Sequence, residues 1–241
     1  MPSLFYKMRH VTSKESDPRI CNVKVEHKAP CDRVAISTWE QRHSAVLPED
    51  LRNFYASTDG FNLTWHYKYS ADEILPVGSI RVNTLNELYL SPALKDLLDF
   101  ALTRPTSGPR PVLNTKSKVF ELDTCRTIGK VCLVFTGGSW SVWLATREGS
   151  WGWLADSFTH YFRMALVHLG LPGWQAAFAH LPLIPWAEQL FLLLAPHLLE
   201  KSEAESTNII AVPSETGLNH IDPNIFKTSV RQYKNSTRQT N

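Results

Sequence analysis

The chain has 241 residues, 43 % of them apolar, and 25 Lys and Arg against 23 Asp and Glu give a formal net charge of +2. This length and apolar content suffice for one large domain or two small ones with a sizeable core, and so small a charge gives no argument for a partner chosen by bulk charge, such as nucleic acid or an anionic membrane. The most apolar stretch, "LPLIPWAEQLFLLLAPHLLE", is interrupted by Pro182, Pro185, Glu188 and Pro196, and its unbroken part falls short of the roughly 18 residues that a bilayer span needs.

The opening "MPSLFYKMRH" lacks the apolar run of a signal peptide, so the chain reads as soluble and intracellular. Cys21, Cys31, Cys125 and Cys132 form no C-x-x-C pair. Their spacings match no zinc site and fix no pairing, and we read them as reduced cytosolic thiols.

Residues 1–19 are mixed and polar and are expected to be a flexible N-terminus. "ICNVKVEH" (20–27) places Val23 and Val25 in alternation, the period of a first strand. "DRVAISTWEQRHS" (32–44) predicts a helix with Val34, Ile36 and Trp39 towards one side. In "LPEDLRNFYASTDGFNLTW" (47–65), Pro48 and the acids Glu49 and Asp50 suit a helix start. Leu51, Phe54 and Tyr55 then make an i, i+3, i+4 stripe, and Gly60 is the expected left-handed stop. Phe61, Leu63, Trp65 and Tyr67 alternate as in a half-buried strand, and "SIRVNTL" (79–85) predicts another.

"SPALKDLLDFAL" (91–102) is weakly helical, and the prolines and glycine of "TRPTSGPRPVLNTKSK" (103–118) make a loop between two halves of the fold. "KVFELD", "KVCLVF" and "WSVWLATRE" predict three strands, the last two joined by a hairpin turn at Gly137-Gly138. "GSWGWLAD" adds a short strand. Asp156 or Ser157 can cap a helix that buries Phe158, Phe162, Ala165, Leu166 and Leu169 and stops at Gly170. "PGWQAAFAHL" and "PWAEQLFLLLAPHLL" predict two further helices, each opened by a proline. Beyond about residue 199 too little apolar surface is present to offset the entropy of ordering, and a largely disordered tail is expected over 199–241.

No phosphate-binding loop, dinucleotide fingerprint, H-E-x-x-H or G-x-S-x-G motif occurs. "GGSWS" at 137–141 is explained by its turn, with no base placed beside the serine. His160 and His168 stand eight residues apart on one predicted helix, too far for an i, i+4 metal pair. Glu49-Asp50, Asp72-Glu73 and Asp96/Asp99 are explained as helix-start or solvated charges, and Asp59 as a turn former. No catalytic, cofactor-binding or metal residue is assigned. Trp151 and Trp153 share one strand face, and a single sheet has limited room to bury every tryptophan. The pair is therefore a candidate protein interface. By these residues alone the chain is a soluble α+β domain and a binding module.

"ISTWEQRHSAVLPEDLRNFYASTDGFNLTW" resembles the N-terminal region of the family of subunit 2 of the tubulin polyglutamylase complex. The similarity continues through "LPVGSIRVNTLNEL", "KVFELDTCRTIGKVCLVF" and "WLADSFTHYFRMALVHLGLPGWQAAFAHLPLIPWAEQLF", covers about residues 20–195, and resumes at "HIDPNIFKTS". The unit from "LPEDLRNFY" through "DGF" to the strand also resembles the broader SUKH (cell-wall-assembly-regulator-like) superfamily. The chain departs from the family in a short, Pro-rich 101–117 loop and a short tail.

The resemblance implies a SUKH-like α+β domain over 20–198, an antiparallel-rich sheet flanked by N-terminal and C-terminal helices. It implies a non-catalytic scaffold or regulatory subunit without a cofactor. Its partners would be the other subunits of the complex, including a tubulin tyrosine ligase-like catalytic subunit that adds glutamate chains to tubulin with ATP, and tubulin directly or indirectly. The implied location is the cytoplasm and cytoskeleton, at microtubules, centrosome or centriolar satellites. An alternative is a microtubule-binding adaptor acting through the tail. Residues 226–241 carry Lys227, Arg231, Lys234 and Arg238 and no acid, whereas 200–225 carry one positive and five negative charges. These four cations are the candidate tubulin contact.

Overall fold

The computed structural model describes residues 18–26, 28–89, 110–125 and 128–196. By its contacts the chain divides into two units, 1–206 and 207–241, and every described residue belongs to the first. The helix expected at 91–102 and the tail, with Lys227, Arg231, Lys234 and Arg238, lie outside the described residues.

The order is β1 (Ile20–Glu26), α1 (Arg33–His43), α2 (Glu49–Tyr55), β2 (Phe61–Lys68), β3 (Ile74–Val82), a 3-10 turn (Leu85–Glu87), β4 (Lys118–Asp123), β5 (Gly129–Thr136), β6 (Ser139–Thr146), β7 (Trp151–Ala155), α3 (Phe158–Val167), α4 (Trp174–Phe178) and α5 (Pro185–Leu194). The expected α+β class with antiparallel pairing is what forms. Its strands divide between two meanders rather than joining one sheet: β1-β2-β3, and β4-β5-β6-β7. The break falls at Asn83, where the chain leaves β3 and turns into the 3-10 segment.

In the first sheet Phe61, Leu63, Trp65 and Tyr67 of β2 are all buried, as their alternation requires. Phe61 lies opposite Val82, Leu63 opposite Ile80 and Trp65 opposite Gly78. The Trp65 indole lies across Gly78, and its Nε1 donates to the Leu169 carbonyl at 2.8 Å. In β1 the expected alternation is broken. A bulge between Cys21 and Lys24, with Asn22 at φ 51°, turns Val23 outwards.

In α1 the Asp32 side chain caps the Val34 N–H at 3.3 Å. Ile36 and Trp39 face the core, but Val34, at the helix's first turn, is exposed. Leu51, Phe54 and Tyr55 of α2 are all buried. Gly60 does not stop this helix, contrary to expectation, because α2 ends at Tyr55 with Ala56 still in right-handed geometry. Gly60 instead turns the chain into β2 at φ 87°, and a Cβ there would stand 2.8 Å from the Val82 carbonyl oxygen.

The second sheet is buried on both faces. Phe120, Leu122, Val131, Leu133, Val142, Leu144 and Leu154 join the main core with α2 and α3. Val119, Cys132, Val134, Ala145 and Trp151 form a smaller cluster, with Leu113 and Trp143 against it. Burial on two sides explains why "KVCLVF" reads as a continuous apolar run. The Gly137-Gly138 turn is the expected two-residue hairpin, with Thr136 opposite Ser139.

Ser157 caps α3 by accepting from the His160 N–H, and Asp50 Oδ2 accepts from the Thr159 N–H at 2.7 Å. Phe54 packs on Phe158 with ring centroids 4.8 Å apart, and Phe162 on Phe61 at 5.2 Å. Each such ring contributes on the order of 2–3 kcal/mol of burial. The buried side of α3 includes Tyr161 and Met164 as well as the expected Phe158, Phe162 and Ala165. Leu169 is exposed because the helix has already ended at Val167, and Leu169 takes φ 55° beyond it.

Gly170 then sits at φ 62°, where a Cβ would meet the Ser79 carbonyl oxygen at 2.5 Å, and its own carbonyl accepts from the Ser79 N–H at 2.9 Å. Gly170→Ala therefore strains the backbone and separates α3 from β3. We expect a loss of about 2 kcal/mol or more in unfolding free energy by urea titration. An unchanged midpoint would contradict this account of the contact.

Candidate functional site

The acidic and polar residues of 47–65 act as fasteners. Asp59 Oδ1 accepts from the Leu85 N–H at 2.7 Å, which fixes the turn after β3. Its carboxylate also accepts from the Cys31 thiol, and burial together with this carboxylate pushes that thiol up to about 12. Thr84 and Glu87 form a reciprocal cap on the 3-10 turn. The Thr84 backbone N–H, backed by its hydroxyl and by Arg81, holds the Glu87 carboxyl below its ordinary value. The buried Tyr55 hydroxyl donates to the Asn83 carbonyl at 2.9 Å. Asn83 in turn donates its N–H to the Leu122 carbonyl at 2.8 Å and its Nδ2 to the Glu121 carbonyl at 3.0 Å.

A second set of polar groups is interior. Asp123, Tyr161 and Gln175 are each less than a tenth exposed and come from β4, α3 and α4. Tyr161 is hydrogen-bonded to the Gln175 side chain, and burial raises its hydroxyl well above the ordinary value. Burial pushes the Asp123 carboxyl up to about 7 and the Glu121 charge adds to this, while Arg81 and the backbone N–H groups of Thr124 and Cys125 oppose it. Glu121 itself pairs with Lys130 on the adjacent strand. Among the described residues no group of three His, Cys, Asp or Glu side chains is placed to hold a metal ion, and no helix is long and apolar enough to cross a membrane. His160 is exposed, while His168 stacks on Trp174 at 5.0 Å. All four cysteines are unbridged.

The surface carries features of another kind. The predicted tryptophan pair is split: Trp151 is 3 % exposed, inside the smaller apolar cluster, whereas Trp153 is 37 % exposed. Trp153 lies directly opposite Trp143, whose Nε1 donates to Ser141 Oγ at 2.9 Å. At the β2–β3 turn Tyr69, Ile74 and Leu75 are exposed.

Among the described residues, the largest apolar exposure on one helix is on α5, where Trp186 is 47 %, Leu192 59 % and Leu193 51 % exposed. Ala187 and Phe191 of the same helix are fully buried, so α5 is apolar on both its inner and outer sides. A surface helix ordinarily turns a polar face outwards. Sequence reasoning read this stretch as a helix and as too interrupted to span a membrane, and did not mark it as a surface. The signal it passed over was that a single charge, Glu188, occurs in ten residues. The described residues thus combine carboxylates tied to backbone donors with exposed aromatic and leucine side chains.

Comparison with known proteins decides the family. Tubulin polyglutamylase complex subunit 2 of Rattus norvegicus is 35 % identical over 234 residues, covering 89 % of this chain and 77 % of the relative. This chain belongs to the tubulin polyglutamylase complex subunit 2 family. The Homo sapiens protein of that name is 35 % identical over 233 residues, covering 89 % of this chain and 75 % of the relative, and the Mus musculus protein is 34 % identical over 234 residues, with 89 % and 77 % covered. No protein-family model matches the chain, and no solved structure matches it. Membership of this family agrees with the resemblance read from the sequence.

The interior carboxyl has a measurable consequence. Asp123 titrates near 7 in the folded chain against an ordinary 3.8. The folded state therefore keeps a proton that the unfolded state releases. Its stabilising contribution is complete below pH 4 and is lost as pH rises towards 7, at up to about 1.4 kcal/mol per pH unit. Asp123→Asn removes this dependence. Urea unfolding from pH 4.5 to 8 is expected to show the native chain losing stability relative to the variant as pH rises, and parallel curves would refute the assignment.

Proposed function

We propose that this chain is a non-catalytic scaffold subunit of a tubulin polyglutamylase complex, and that it holds other subunits together while a separate ligase adds glutamate to tubulin. Family membership supports the reading, because the relatives are named as subunits of a complex. The observation that carries it is the apolar outer side of α5 in a domain whose buried carboxylates are engaged in holding its own elements. The ligase is a tubulin tyrosine ligase-like protein that uses ATP, and the site of action is the cytoplasm and microtubule cytoskeleton, including the centrosome or centriolar satellites.

The full chain, purified alone and given tubulin, glutamate and ATP, is expected to add no glutamate. Co-expressed with the remaining subunits it is expected to co-purify with them, and its omission to lower glutamylation by the rest at least severalfold. Glutamylation by the lone chain, with contaminating ligase excluded by mass spectrometry, would overturn the scaffold reading. Failure to co-purify would overturn it as well.

A second reading concerns 226–241, where Lys227, Arg231, Lys234 and Arg238 stand without an acid. Such a segment attracts the acidic surface that polyglutamate presents. Attraction between exposed charges fades as the screening length falls from about 10 Å at 0.1 M salt to about 3 Å at 1 M. Replacing the four residues with neutral ones is expected to weaken microtubule co-sedimentation at low salt and to leave complex assembly intact. Equal co-sedimentation across a salt series would remove the tail as a tubulin contact.

A further inference from the structure

We infer that the outer face of α5 receives an amphipathic helix from a different subunit, one with a Lys or Arg on the flank that meets Glu188. The inference rests on the scaffold reading and names the partner's chemistry.

Three features point to a helix. At 3.6 residues per turn, Trp186, Gln189 and Leu193 fall at i, i+3 and i+7 and form one outward row, and Pro185 and Leu192 flank it. This is the spacing that a packed helix reads as knobs and holes. The row bears no charge. Trp186 supplies the kind of rigid aromatic anchor that dominates interface energies, with Leu192 and Leu193 just under two turns away. Ala187 and Phe191 hold the opposite side rigidly in the core, so the face is presented preformed.

The single charge of the helix selects the occupant. Glu188 sits on the border beside Leu192, away from Trp186. Two copies of α5 packed antiparallel about a two-fold axis bring like borders together, so the two Glu188 borders would meet with no cation between them. Packed in parallel, the Glu188 border would meet the Trp186 border and set a carboxylate against an indole without a cation. Both self-pairings leave the charge unmatched, whereas a different helix with a cation on the facing flank matches it.

The test uses the full chain co-expressed with the other subunits. A photo-crosslinking benzoylphenylalanine at Gln189, the middle of the exposed row, is expected to form adducts with one helical segment of another subunit. That segment should carry apolar residues at i, i+3 or i+4, and i+7, and a basic flank. Trp186→Glu with Leu193→Glu is expected to reduce recovery of that subunit at least tenfold while the thermal midpoint stays within a few degrees. Glu188→Lys, which leaves every apolar contact in place, should reduce it severalfold, and Tyr69→Glu on the distant hairpin should leave it unchanged. Adducts confined to a second copy or to residues 197–241 of the same chain would overturn the inference, as would a lack of intersubunit adducts. Undiminished recovery with the double variant would overturn it while leaving the scaffold reading standing. If the native chain recovers no subunit, both fall.

Discussion

The structure depends on Asn83. Its backbone N–H and its side-chain amide both donate to β4, to the carbonyls of Leu122 and Glu121, and its own carbonyl accepts from the buried Tyr55 hydroxyl. One residue therefore joins the end of the first sheet, the first strand of the second and helix α2. Any of these hydrogen bonds, once buried, costs about 1–3 kcal/mol to leave unsatisfied. The turn that follows has no freedom to drift, because Asp59 holds Leu85 and Glu87 closes on Thr84. Further joints repeat the principle at the periphery. Lys118 Nζ donates to the carbonyls of His43 and Ser44, placing a cation on the negative end of α1. Trp140 Nε1 donates to the Val46 carbonyl at 3.1 Å, and Trp39 Nε1 to the Leu88 carbonyl at 2.9 Å.

Much of this was legible in the sequence wherever a local period settled the answer. The stripe of Leu51, Phe54 and Tyr55, the alternation through β2, the two-glycine hairpin and the proline opening α5 are all determined within a few residues. What remained hidden is set by contacts across long separations. Nothing near Asp50 says that one carboxylate oxygen caps its neighbour's backbone while the other caps α3, 109 residues away. The bulge in β1 and the end of α3 before Leu169 are settled by positive-φ residues, which a hydrophobic count cannot register. The joint between the two sheets is made by hydrogen bonds at Asn83, a residue with no periodic signature. Trp151 and Trp153 occupy the same parity, and only the position of the smaller cluster decides which one reaches solvent.

The candidate surface was the least legible part. An apolar helix reads the same whether its second side meets its own domain, a bilayer or another protein, and only the folded arrangement leaves Trp186, Leu192 and Leu193 outside. Asp50 and Asp59, which attract attention as possible chemistry, turn out to be engaged in joining elements. Family membership places the chain among subunits of a complex, and its described surface leaves aromatic and leucine side chains exposed.

The hydrogen bond from Trp65 to Leu169 spans 104 residues, and the aromatic cluster mixes Phe54 and Phe61 from the first half with Phe158 and Phe162 from the second. Each half thus supplies the other's missing core. A transcript that omitted either half would yield a product with a solvent-facing aromatic wall, a target for chaperones and proteases. Neither half carries a complete core of its own, so the chain's shape is specified only once both have been made.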